Sequence, residues 1–152
     1  WTADGVDRAD FQVATNPGEP KGPIAKFASG GELSRFMLAL KVALAESGSL
    51  RTLIFDEVDS GVGGATADAV GERLERLADQ MQVFVVTHSP QVAARGRDHL
   101  LVRKSDDTDR ATTMVEPLDS QQRKEEIARM LSGAKVTDEA RAAADRLIDG
   151  VA

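Results

Sequence analysis

Two short apolar runs, Thr52-Leu53-Ile54-Phe55 and Val83-Phe84-Val85-Val86, predict an α/β fold. Each run ends abruptly in polar side chains, and a glycine-containing loop and an amphipathic stretch separate them. Strand, helix and strand of this length form a right-handed βαβ unit, with both strands parallel and their C-terminal ends on one edge. The expected architecture is a parallel βαβ core with flanking helices and a C-terminal hairpin and helix pair, as one domain or part of one.

The elements follow in chain order. Phe11, Val13 and Thr15 alternate with Gln12 and Ala14 and predict a strand, which Asn16-Pro17-Gly18-Glu19-Pro20 stops. Prolines up to Pro23 make the next stretch an irregular loop. Ser29-Gly30-Gly31-Glu32 has the spacing of a capping box, and Leu33, Phe36, Met37, Leu40 and Leu44 then form one helical stripe, ended by Ser47-Gly48-Ser49. The two apolar runs read as fully buried strands. Gly61, Gly63 and Gly64 make a loop between them, followed by a helix marked by Val70, Leu74, Leu77 and Met81.

Pro90 to Arg95 is a short helix. Leu100 to Lys104 and Thr112 to Leu118 are strands around the polar turn from Ser105 to Asp109. Asp119 caps a helix with Gln122 three residues on, packing Ile127, Met130 and Leu131 and stopping at Gly133. Thr137 caps the last helix, with Asp138 and Glu139 at the positive end of its dipole.

Composition removes whole classes of function. The 152 residues carry 25 acidic and 19 basic side chains, a formal net charge of −6, which argues against a bulk electrostatic grip on DNA or anionic lipid. Lys21, Lys26 and Arg35, or Arg95, Arg97, Arg103 and Lys104, read as solvated faces against that balance. With no cysteine there is no disulfide, zinc–thiolate site or thiol nucleophile. No apolar run approaches the roughly 20 residues of a membrane helix. The first residue is Trp1, the mark expected of a processed chain or a piece of something longer. No G-x-x-x-x-G-K-[ST], H-E-x-x-H or G-x-S-x-G occurs, and G-x-G-x-x-G fails at Thr66.

Three features carry chemistry. Ser29-Gly30-Gly31-Glu32 opens a helix, where bare backbone N–H groups at the positive dipole end suit a phosphate; in isolation it is simply a capped helix. Asp56-Glu57 ends the first buried strand. At the ligand-binding edge of a parallel sheet one carboxylate can hold Mg²⁺ while its neighbour activates a water, although adjacent acids are often only solvated surface. His88 ends the second strand on the same edge, placed there by topology, and can donate to a phosphoryl oxygen.

Their order resembles the second half of an ABC-type ATPase head. Ser29-Gly30-Gly31-Glu32 resembles the signature motif, Thr52 to Glu57 the Walker B strand, Asp59 the start of the D-loop, and Thr87-His88 the switch histidine. The wording of Thr15-Asn16-Pro17-Gly18-Glu19-Pro20, Ala28 to Arg35, Ile54 to Val62 and Thr87 to Ala94 resembles the RecN family of bacterial DNA-repair ATPases, relatives of the SMC proteins. Gly63 and Ser89 depart from the family's usual Ser and Leu beside the site.

The resemblance implies that residues 1–152 are the C-terminal lobe of the head, with the P-loop half and the coiled coil absent from this chain. It implies ATP and Mg²⁺ as cofactors: Asp56 positioning the metal, Glu57 as general base, and His88 on the γ-phosphate. Ser29, Gly30, Gly31 and Glu32 would bind the ATP of a second head, and Asp59 would link the two sites. The implied partners are the N-terminal P-loop half, a second head as homodimer, and DNA through the full-length protein, with no membrane. The implied setting is cytoplasmic and nucleoid-associated, in double-strand break repair. Hydrolysis would require the P-loop half. The alternatives are a non-catalytic ATP-gated DNA-bridging scaffold and, against Glu32 and the missing P-loop, a transporter nucleotide-binding domain.

Overall fold

The computed structural model describes residues 5, 6, 10–14, 18, 20–24, 30–45, 51–105 and 112–150. The expected cap at Ser29, the stop at Ser47-Gly48-Ser49, the body of the turn after Ser105, Lys26, and Thr15 to Pro17 lie outside them. The centre is the βαβ unit. β3 (Thr52–Asp56) and β4 (Gln82–Val86) pair in parallel, with Thr52 opposite Gln82 and Asp56 opposite Val86. α2 (Gly64–Ala78) is the crossover between them, and α1 (Gly30–Ala45) precedes β3.

Leu53 and Phe55 of β3 pack on one face against Leu38 of α1, Val58, and Val70, Leu74 and Leu77 of α2, with Met81 and Val92 completing the cluster. The stripe read for α2 is therefore the buried one, although Met81 lies just past the helix end. For α1 the buried side differs. Leu33 and Met37 are exposed, while Leu38 is buried and Val42 packs against the core. A helix this apolar offers more than one usable face, and tertiary packing chose the one one residue round. Phe36, on the other side, meets Phe11 edge to face at 5.4 Å between centroids.

The two strands are not fully buried, contrary to expectation. Ile54 is 66% exposed, Phe84 43% and Val86 55%. These three share the face opposite the helices, because strand side chains alternate and the register sets Ile54 beside Phe84. α1 and α2 both lie on the other side, and nothing among the described residues covers this one.

Two small antiparallel sheets flank the core. β1 (Gln12–Val13) pairs with β2 (Gly22–Pro23), so the expected irregular loop ends in a ladder; in so short a ribbon a proline costs only one donor. β5 (Leu100–Ser105) pairs with β6 (Thr112–Pro117), the expected hairpin. α3 (Pro90–Ala94) follows β4, and α4 (Ser120–Ser132) and α5 (Asp138–Ile148) form the closing pair. Both caps are as the spacing predicts: Asp119 and Gln122 bond each other's backbone N–H reciprocally, and Thr137 Oγ1 accepts from the Ala140 N–H. Ile127 is wholly buried with Ala94, Ala128, Ala140 and Ala144, whereas Leu131 is exposed. Arg123 ties α4 to the end of α3 by donating to the Ala94 and Arg97 carbonyls at 2.6 and 3.3 Å.

α2 and α3 approach closely at Gly71, where a Cβ would stand 3.0 Å from Arg95 Cγ and 3.3 Å from the Gln91 carbonyl oxygen. Arg95 locks the contact by bonding Asp68 at 2.8 Å and Glu75 at 3.2 Å. Gly71→Val overpacks this junction and should lower stability by about 1–3 kcal/mol, measured by urea denaturation.

At the end of β3, Glu57 is the one non-glycine residue among those described with positive φ, at 48°. Its N–H donates to the Val86 carbonyl at 2.9 Å and its own carbonyl accepts from the Ser60 N–H at 2.9 Å, so the left-handed conformation is imposed from both sides. A side chain pays for that conformation where glycine does not. Glu57→Gly should raise the unfolding free energy by about 0.5–1 kcal/mol, read by the same urea denaturation curves.

Candidate ATPase site

Parallel pairing delivers Asp56, Glu57 and His88 to one edge, as topology requires. Asp56 is the last residue of β3, on the open face it shares with Ile54 and Val86. Glu57 follows in its strained turn, bonded to the end of β4, and His88 lies two residues beyond Val86. All three are exposed. Carboxylates and an imidazole held at strand ends on a fixed backbone, open to solvent on one side, can meet a phosphate ester from that side. Among the described residues no three His, Asp or Glu side chains converge to hold a metal. A lone exposed Asp56 nevertheless suits Mg²⁺, which commonly takes one or two carboxylates and fills its remaining positions with water and substrate phosphates.

The signature residues are placed in part. Gly30, Gly31 and Glu32 form the first turn of α1, as expected, while Ser29 is outside the described residues. α1 is joined to the carboxylate loop by Arg35, whose guanidinium donates to the Ser60 carbonyl at 3.3 Å. Sequence reading had set Arg35 among solvated basic residues. Its partner is a backbone oxygen far along the chain, which composition and periodicity do not signal.

Asp59 stands apart from the others. The resemblance implies a residue that links two sites; within this lobe Asp59 is 1% exposed and its hydrogen bond is internal. Thr87 Oγ1 donates to Asp59 Oδ2, and the Ser89 N–H donates to Thr87 Oγ1 at 2.9 Å. Ser89 is itself buried, and its hydroxyl bonds Gln91 Oε1 at 3.0 Å. Asp59 Oδ1 has no hydrogen-bond partner among the described residues. A groove of about 1100 Å³ runs from the open face of β4 to β5, lined by Val83, Phe84, His88, His99 and Leu101 among others. Within it burial first, and then the nearby Arg123 charge, lower the His99 pKa from its ordinary value, with Glu126 acting the other way.

No family model matches the chain. Individual relatives do. DNA repair protein RecN of Xylella fastidiosa is 51% identical over 144 residues, which is 95% of this chain and 26% of that protein. The RecN of Streptomyces coelicolor is 48% identical over 145 residues, and that of Bacillus subtilis 44% over 137, again 25% and 24% of their lengths. The chain thus spans about a quarter of the curated relatives it matches. A solved structure from work on ATP-driven dimerization and DNA stimulated activation of SMC ATPases superposes with a TM-score of 0.58. It is 18% identical and covers 82% of this chain and 81% of that one, a likeness of fold. The relatives carry the name of DNA repair proteins, and the solved structure is one of an SMC ATPase. At 44–51% identity over 90–95% of its length, the chain corresponds to a segment of RecN proteins, and its fold is like that of an SMC ATPase structure.

Proposed function

We propose that this lobe supplies half of a composite ATP-hydrolysing site and completes it only when joined to a P-loop half. The observation that carries this is the open face beside Asp56. Ile54, Phe84 and Val86 stand exposed on a parallel pair, a sheet type that is otherwise covered on both sides. Burying such side chains is worth roughly 1.5–3 kcal/mol each, so a second lobe docking there is stabilised by the surface that borders the site.

In the joined head, Asp56 holds Mg²⁺, which when bound neutralises phosphate charge. Glu57 accepts a proton from the attacking water, its carboxylate aimed by the turn that bonds it to Val86. His88 donates to the γ-phosphate. The N-terminal amides of α1 at Gly30 and Gly31, with Ser29 and Glu32, bind the γ-phosphate of ATP carried by a second head, so hydrolysis requires two heads together. Catalysis of this kind is chiefly positioning and charge neutralisation. DNA is bound through the full-length protein, in keeping with the acidic charge of this lobe and with the repair role of its relatives.

Two outcomes test this. The purified chain should show no ATP hydrolysis above buffer, while co-expression with the P-loop half should restore Mg-dependent phosphate release; substantial turnover by the lobe alone refutes the proposal. In the joined head, Glu57→Gln should keep ATP binding, lower kcat by about 10²–10⁴ and accumulate head dimers on a sizing column.

A further inference from the structure

Thr87 lies between the end of β4 and His88, and its hydroxyl is fully engaged. It donates to Asp59 Oδ2 and accepts from the Ser89 N–H at 2.9 Å. Its acceptor is a carboxylate 1% exposed, two residues past Glu57, whose Oδ1 has no partner among the described residues. Two residues back on the first loop and one on the second, the Glu57 N–H meets the Val86 carbonyl at 2.9 Å. A backbone bond that includes Glu57 and a side-chain bond next to His88 therefore tie the loop after β3 to the loop after β4. The first bond depends only on backbone and so on no particular side chain, proline at position 57 excepted. The second depends on a hydroxyl able to donate and accept at once.

We infer that Thr87 is a positioning residue for hydrolysis: held between Asp59 and the Ser89 amide, its hydroxyl sets Glu57 and His88 at a constant mutual spacing. It touches no nucleotide. The assignment rests on the roles proposed above for Glu57 and His88. It differs from them in locating Asp59 within the lobe rather than between heads. Arg35, through the Ser60 carbonyl at 3.3 Å, extends the same unit to the helix opened by Gly30 and Gly31. The clamp thus connects residues that face one nucleotide with amides that face another.

The test uses the full-length protein with ATP and Mg²⁺. Thr87→Val keeps the shape and removes both bonds. It should lower kcat by about 10- to 100-fold, the scale of an ångström-sized misplacement, with KM for ATP and ATP-dependent head dimerisation unchanged. Thr87→Ser, which retains the hydroxyl, should recover most of the parent kcat. A merely structural threonine would instead lower the amount of folded enzyme and leave kcat per active site alone. Should the unpaired Asp59 charge prevent Thr87→Val from folding, the double variant Thr87→Val with Asp59→Asn removes that charge and is assayed in its place. Parent kcat in the valine variant, or a serine variant as slow as the valine one, overturns the clamp. Glu57→Gln run alongside separates the two levels: full turnover there overturns the ATPase reading and the clamp together, while a dead Glu57→Gln beside a fully active Thr87→Val overturns the clamp alone.

Discussion

A parallel strand pair cannot be closed by a tight turn, so its connection must cross over one face of the sheet, and that crossing shapes this lobe. α2 is the crossing. It covers the inner side chains of β3 and β4 together with α1, and its contact with α3 at Gly71 fixes where the chain goes after β4. The same parallel arrangement sends both strand ends to one edge. Asp56, Glu57 and His88 are neighbours because the strands are parallel and in register, with Asp56 opposite Val86.

The cost of the arrangement falls on the other face. Ile54, Phe84 and Val86 are side chains suited to an interior, and here they border the carboxylates in the open. In the composite site proposed above, such a surface couples assembly to chemistry: the lobe that covers the apolar face also brings new groups to the edge. The strained backbone at Glu57 belongs to the same economy of structure. Its left-handed conformation is disfavoured locally and is held by bonds to Val86 and Ser60, a pattern that recurs where geometry serves function rather than stability.

Much of the layout was legible because it rests on local chemistry. The caps at Asp119 and Thr137 follow from side chains that reach the third amide of a helix, a relation contained within four residues. The βαβ unit follows from two apolar runs and the buried stripe Val70, Leu74 and Leu77. The edge location of Asp56, Glu57 and His88 needed only the handedness rule in addition. Where reading failed, it failed over which of two possible faces is used. The stripe through Leu33 and Met37 and the full burial of β3 and β4 were both reasonable from hydrophobicity, and both depend on what packs opposite.

The sequence by itself determined the elements, their order, the parallel pairing and the edge on which the acidic pair and the histidine gather, because periodicity, capping and chain connectivity are properties of neighbouring residues. Tertiary structure alone decided that one sheet face stays bare, that Arg35 seeks the Ser60 carbonyl, and that Asp59 turns inward to Thr87. Those bonds join positions 25 to 28 residues apart through geometry that no local pattern encodes. A buried carboxylate must find its donor wherever the folded backbone has brought one, and here that donor stands next to His88.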